Sequence, residues 1–414
     1  METQTAKPRS AIEQPWLWVL VACTAYIALC VFVLTRSRPP FFDEGLHLSR
    51  AFALAQPGSF RNWLVENDTS ATGPLYALMH YALALGQGAW PTPWFRVPNL
   101  VLLAASILLI VSQLRRLGQS NFWACALTTL AMPTTWVLSG LALTEMPAQC
   151  GAAIACWAAL RLGEEKEADW RMALVLILGV AVATMGRQTY LAALPGMALL
   201  AAGDRRRFFL ALAAVAIGLV PLVGLVWVWG GLLPPKLAYM GDGGFNFAHV
   251  FYALAYVGVM TLFLAPGYYL VRWKIILPAA TVAGAINLWL SVIHFTMLTS
   301  VQKLTGMPVL MHLLEATGTL LFVAAGVAFP LATLLEAWRN RSRRFWGYAG
   351  STLGLCLACG AVTALFSSRY VGMTMVFLVP LLAPWMRFNV TSILRLSVGA
   401  GLGAGALYSY FQLG

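Results

Sequence analysis

Charge is what this sequence has least of. Of its 414 residues, 10% are charged and 60% hydrophobic, and mean hydropathy is +0.75. A soluble domain carries roughly a quarter charged residues. A set of soluble domains is therefore excluded, and the length is that of one membrane bundle. Acidic residues number 15 against 27 basic ones, a net charge of +12. In a soluble chain that excess would point to nucleic acid; in so apolar a chain it points to basic loops that orient membrane spans. The seven cysteines (23, 30, 125, 150, 156, 356 and 359) lie inside apolar runs without metal-ligand spacing. They read as small core hydrophobes rather than redox or metal groups. Internal repeats, low-complexity tracts and the inverted-repeat hydropathy of many transporters are also missing. No small-x-small cleavage site follows the first apolar run, so that run reads as an uncleaved span.

What is there is a succession of apolar stretches, each close to the ~20 residues that cross a bilayer. They fall at roughly 16–35, 97–114, 121–139, 142–160, 172–185, 189–203, 207–229, 248–271, 275–298, 308–333, 347–366, 370–386 and 391–412. The fold class expected is an all-α polytopic membrane protein with about 13 spans (11 to 14), forming one domain over residues 1–414. With the N-terminus inside, 18 of the 27 basic residues fall in inner clusters such as Arg115/Arg116, Arg205–Arg207 and Arg339–Arg344. The other nine are mostly single residues on the outer face, as the positive-inside rule requires. Pro74–Gly86 is apolar but too short to span, and is expected to lie along the outer interface. The first outer loop then runs over 36–96 and the second over 230–247.

That topology gathers scattered polar residues on the outer face: Asp43, Glu44, His47, Asp68, Arg96, Glu145, Arg187, Gln188, Asp242, His249 and Arg369. Carboxylates beside arginines at headgroup level suit a substrate with a phosphate there. Arginine can grip phosphate through two N–H groups, and a carboxylate can take a proton from an attacking hydroxyl. Each residue has a blander reading too. Asp43-Glu44 suits a helix N-terminus by charge alone. Arg187-Gln188 and Arg369-Tyr370 interrupt apolar runs, where an arginine is costly unless it meets water or a partner; either could be a snorkelling side chain. Glu145 could pair with one of them, His249 could pack among its neighbouring aromatics, and Arg96 could anchor a span entrance. The pair at 43–44 is not an Asp-x-Asp motif, and no metal or cofactor is indicated.

The wording of these islands resembles the integral-membrane glycosyltransferases of the GT-C type, which use polyprenyl-phosphate sugars. Phe42-Asp43-Glu44-x-x-His47, Thr72-Gly73-Pro74-Leu75-Tyr76, Gly186-Arg187-Gln188-Thr189, Gly241-Asp242 followed by His249, and Arg369-Tyr370 are similar to motifs of one branch. That branch is the dolichyl-phosphate-glucose-dependent alpha-1,2-glucosyltransferase family. Gly-Pro-Leu-Tyr permutes its usual Pro-Gly-Leu-Tyr, and Tyr190 stands where it often has Asn. The resemblance implies an inverting transfer of a hexose, glucose above all, from a polyprenyl- or dolichyl-phosphate donor to a hydroxyl of a lipid-linked or cell-surface glycan. It implies Asp43 as base with Glu44 beside it. His47, Arg96, Glu145, Arg187, Gln188, Asp242, His249, Arg369 and Tyr370 would then contact substrate, with no cofactor or metal and with donor, acceptor glycan and membrane lipids as partners. The outer face would be periplasmic in a bacterium or lumenal in the endoplasmic reticulum. The alternative is a transporter or flippase of a lipid-linked or anionic substrate, which would need polar residues along a path through the deep spans. Those spans carry few.

Overall fold

The computed structural model of the protein describes residues 13–66, 70–86, 91–164, 169–241, 243–291, 293–294, 308–362 and 366–413. Among the described residues the secondary structure is helical throughout. Seven helices among the described residues are long and apolar enough to cross a membrane: Pro15–Thr35, Trp94–Arg116, Arg205–Trp229, Phe247–Leu264, Trp273–Leu290, Met311–Arg339 and Val390–Gln412. Large apolar side chains such as Trp227 and Trp289 stand almost fully exposed, as lipid-facing positions do. The protein is an all-α polytopic membrane bundle. Asp68 and Asp242 lie outside the described residues, as do Lys7, Arg9, Lys166 and Lys303.

The first helices in chain order are α1 (Pro15–Thr35), α2 (Asp43–Ala55), α3 (Phe60–Val65), α4 (Leu75–Leu83), α5 (Val97–Arg116), α6 (Phe122–Leu127), α7 (Pro133–Gly140), α8 (Glu145–Glu164) and α9 (Trp170–Gly186). Every expected span contains helix, but several are broken. The stretch 121–139 is divided into α6, a tight turn at Thr128–Ala131 and α7. Pro133 cannot donate the backbone hydrogen bond that would continue the first piece, and Thr135 Oγ1 donates instead to the Thr129 carbonyl at 2.7 Å. The stretch 189–203 opens with a 3-10 turn at Gln188–Ala193 before the short helix Leu194–Leu200. The stretch 370–386 consists of Arg369–Gly372, Met375–Leu382 and a last turn at Ala383–Trp385. These breaks place polar residues at the ends of short helices rather than in mid-span.

Helices α8 and α9 carry the frame of the site. A Cβ at Gly179 would lie 2.6 Å from the Ala155 nitrogen, one at Gly151 would lie 2.6 Å from that of Ala183, and one at Gly186 would lie 2.7 Å from the Ala148 Cβ. Small residues thus let the two backbones approach closely, the usual device of helix packing in membranes. Because they run antiparallel, the start of α8 meets the end of α9, and Glu145 meets Arg187. At the far end of α8, Glu164 pairs with Arg116 at 3.2 Å and with Arg344 at 2.8 Å. Twenty residues at 1.5 Å each separate the two charged clusters by ~30 Å, the thickness of a hydrocarbon core.

The loop after α1 is folded rather than a linker. Ser59 caps α3, accepting from the Asn62 amide. Arg50 and Trp63 exchange hydrogen bonds of 2.6 and 2.9 Å, locking α2 to α3. Trp229 Nε1 donates to the Leu64 carbonyl at 3.0 Å and ties this unit to the bundle. Gly73 passes so close to the end of α9 that a Cβ there would lie 1.8 Å from the Met185 carbonyl oxygen. The apolar stretch after it is the nine-residue α4, far shorter than a membrane span.

Candidate active site

Asp43 and Glu44 open α2, where carboxylates favour the positive end of the helix dipole, but they face different surroundings. Asp43 stays 28% exposed and accepts from Arg369 Nη2 at 2.6 Å. Phe42, just before it, holds the backbone at φ +53°, a region that a bulky residue rarely adopts. That turn lays the Phe42 ring 5.3 Å from the Arg369 guanidinium and 5.5 Å from the Tyr410 ring. Backbone held this way next to a polar pair is the pattern of a site whose surroundings over-determine it.

Glu44 is fully enclosed. Its Oε1 accepts from Arg96 Nε at 2.8 Å and from the Ala142 amide at 2.8 Å, and its Oε2 accepts from Arg96 Nη2 at 2.7 Å and from the Phe41 amide at 3.3 Å. Arg96 is equally enclosed, with Phe95 and Phe411 at 4.4 and 4.9 Å from its guanidinium. The sequence points to Glu44 as catalytic and to Arg96 as a substrate contact. The structure pairs the two with one another, since burying either charge alone would be prohibitive. Ala142 lies just ahead of Thr144 and Glu145, so Glu44 joins the start of α2 to the start of α8.

Glu145 is buried and ion-paired with Arg187, which ends α9 in an extended conformation. Its field also reaches Arg369 and His47. The Tyr370 ring lies 5.7 Å from the Arg187 guanidinium. Asp43, Arg369, Glu145 and Arg187 therefore form one set of alternating charges drawn from four separate parts of the chain. Its hydrogen bonding is incomplete: Glu145 Oε2, Arg187 Nε and Arg369 Nη1 are buried without a partner. Buried polar atoms are nearly always paired, so these three atoms leave the set with hydrogen-bonding capacity for a further polar group.

His47 lies one turn below Asp43 on the same face of α2. Its ring meets Tyr76 at 5.9 Å, and Tyr76 meets His80 at 4.5 Å, so a column of polar rings runs from the charged set along α4. Burial, ahead of its mixed charged neighbours, pushes the His47 imidazole down to about 4, and burial beside His47 does the same to His80. Below His47 is a cavity with ≈ 20 Å³ of room for water-sized occupants, lined in part by Ser70, Thr72, Tyr76 and Thr144.

The remaining candidates lie at the margin. Gln188 reaches the carbonyls of Ala71 and Leu232 at 3.5 and 3.4 Å, long contacts that tether the segment rather than face the charged set. His249 shares a 2.6 Å hydrogen bond with the Val362 carbonyl and packs 5.6 Å from Phe366, which in turn meets Tyr370 at 6.4 Å. Two aromatic rings, Phe366 and Tyr370, thus separate it from Arg187. Sequence reasoning misses Tyr410, which lies in the last helix far from any motif, and Thr144, whose hydroxyl is buried and unpartnered; only their position in space marks them. Among the described residues no group of three or more His, Cys, Asp and Glu side chains is placed to hold a metal ion.

No family model matches the chain. No curated protein matches it either. Among solved structures it is similar to ArnT from Cupriavidus metallidurans bound to undecaprenyl phosphate, at 16% identity over 89% of this chain and 76% of that one, with a TM-score of 0.41. The apo state of the same protein is similar at 15% identity over 89% and 77% of the two chains, with a TM-score of 0.39.

Proposed function

We propose that this protein is an integral-membrane glycosyltransferase of the GT-C type that moves a sugar from a polyprenyl-phosphate donor to a hydroxyl. The observation that carries the reading is the charged set at one end of the bundle. It offers a partly exposed carboxylate, two guanidiniums with unused N–H groups, and a buried carboxylate between them. The sequence motifs that resemble the glucosyltransferase branch supply Asp43, Arg187 and Arg369 of this set and favour glucose as the sugar, an alpha-1,2 linkage and a lipid-linked or cell-surface glycan as acceptor. On this reading the site faces the periplasm of a bacterium or the lumen of the endoplasmic reticulum.

The proposed chemistry is a single displacement. The acceptor oxygen attacks the anomeric carbon, the bond from that carbon to the phosphate oxygen breaks, and its electron pair leaves with the phosphate. Asp43 receives the acceptor proton. Arg187 and Arg369 meet the charge that develops on the phosphate, where fixed donors act most strongly in the transition state. As Arg369 turns toward the leaving group its hold on Asp43 loosens, which favours proton transfer at the moment it is needed. Glu145 keeps the two guanidiniums together before donor arrives. Glu44 and Arg96 position Asp43 from behind; Tyr370 supports Arg187, and Gln188 and His249 are outer contacts for the acceptor or the sugar. Asp242 is kept as a further contact on the strength of its motif alone.

The test is transfer by the purified protein in lipid vesicles from radiolabelled polyprenyl-phosphate sugars to components of a membrane extract, with the labelled product identified. Labelled glycan with an inverted anomeric centre is the expected result. Donors left intact across the common hexoses and pentoses would rule the reading out.

A further inference from the structure

We propose that His47 takes up a proton from solvent when an anionic polyprenyl-phosphate donor enters, and so balances the charge that the donor brings into the site. The proposal rests on the reading of the site given above and adds to it a proton-binding group.

The starting point is a count of charge. Asp43 and Glu145 cancel Arg187 and Arg369, and Glu44 cancels Arg96 behind them. These three ion pairs are therefore neutral as a set, and a phosphodiester entering between Arg187 and Arg369 adds one negative charge to that set in a partly enclosed space. Such a charge is costly there unless something neutralises it. The groups facing His47 are Asp43 from its own helix, Glu145 from α8, Arg187 from the end of α9, Arg369, and Tyr76 and His80 from α4. Arg50 lines the same cavity, and its Nη2 is engaged by the Trp63 carbonyl. Within this group His47 is the one adjacent side chain that can gain positive charge near neutral pH, since Tyr76 is already protonated and His80 lies further along the column.

Geometry makes the uptake feasible. His47 Nδ1 is buried without a partner, as is the Thr144 hydroxyl, and both line the ≈ 20 Å³ cavity. That is room for about one water, which needs polar partners of this kind. The water would carry the proton in and accept from Nδ1–H afterwards. In the empty site burial keeps the ring neutral, with a pKa of about 4. A fixed negative charge nearby moves that value upward, because an opposite charge favours the protonated form.

The experiment is calorimetric titration of the whole protein in lipid nanodiscs with citronellyl methyl phosphate, a phosphodiester with one charge that does not titrate between pH 5 and 7. It is repeated in buffers of different ionisation enthalpy, so that the slope of heat against that enthalpy counts protons. Wild type should take up to roughly one proton per ligand bound, with the largest uptake toward pH 5. His47→Gln and His47→Phe should bind with the uptake abolished, and His80→Gln should retain it. Wild-type binding without uptake, or uptake that persists in a folded His47 variant, overturns the proposal and leaves the donor reading standing. No binding by wild type removes the donor reading and this inference together.

Discussion

Arg369 Nη2 donates to Asp43 Oδ2 at 2.6 Å, joining the first loop of the chain to its last polar break. The pair gives Asp43 a fixed orientation while leaving it partly open to solvent. Asp43→Asn keeps the shape and removes the proton acceptor. Transfer should fall by roughly 10²–10⁴-fold, the usual worth of a general base, while binding of a polyprenyl phosphate is kept. Single-turnover rates measured beside lipid binding check this, and a near wild-type rate would return Asp43 to the role of a helix-terminal charge.

Glu44 should behave in the opposite way to its neighbour. Removing one member of a fully buried ion pair typically costs about 3–5 kcal/mol. Glu44→Gln should therefore lower stability strongly, whereas Asp43→Asn, at a carboxylate 28% exposed, should lower it much less. Thermal unfolding in detergent separates the two, and equal melting temperatures for both variants would contradict the enclosed geometry of Glu44 and Arg96.

Glu145 and Arg187 are expected to be strongly coupled. Glu145→Gln strands the guanidinium, and Arg187→Met strands the carboxylate, so each alone leaves an uncompensated charge. The double variant strands neither. A double-mutant cycle on unfolding should show that it loses less than the sum of the single variants, by on the order of 1–3 kcal/mol. Strict additivity would mean that the two side chains do not meet. Arg187→Met should in addition weaken use of the donor.

His47 and His80 make the fold sensitive to acid. Both have ordinary values near 6.5 that fall to about 4 in the folded protein. The unfolded chain therefore binds more protons between those values. Their contribution to stability is complete above pH ~6.5 and is lost as the pH falls toward ~4, on the order of 3 kcal/mol for each fully shifted group. His47→Gln and His80→Gln should each flatten the decline in melting temperature over that range. A wild-type protein equally stable at pH 7 and pH 4.5 would show that these rings are not buried as neutral groups.

Gly73 leaves no room for a side chain. A Cβ would overlap the Met185 carbonyl at 1.8 Å, and backbone cannot yield as a flexible side chain can. Gly73→Ala should displace the segment leading into α4, cost about 1–3 kcal/mol or more, and reduce transfer by loosening the end of α9 that presents Arg187. Gly45→Ala, where nothing lies within 4 Å, is the control in the same loop. If the two variants unfold alike, the close approach is not what holds the segment.

Length and polarity of the apolar runs were enough to read the membrane bundle and to read the stretch that holds the nine-residue helix Leu75–Leu83 as too short to span. These properties belong to local stretches, because a span is set by how many consecutive residues avoid charge. The break at Arg187 was legible in part, whereas the one at Met132-Pro133 falls inside a stretch read as one span. Proline and arginine mark the places, but whether a helix stops or bends there depends on what its neighbours can hydrogen-bond.

The charge map and motifs alone identified the residue types at Asp43, Glu145, Arg187 and Arg369 as candidates for one site. Which of them would meet, and which would be sealed away, was decided by packing. Asp43 and Glu44 are adjacent and chemically alike, yet one turns toward Arg369 and the other is enclosed with Arg96. A helix turns by about 100° per residue, so neighbouring carboxylates face different surroundings, and only those surroundings distinguish a partly open carboxylate from a structural one. Tyr410 and Thr144 make the same point. Neither belongs to a motif, and both reach the site because distant helices end beside it.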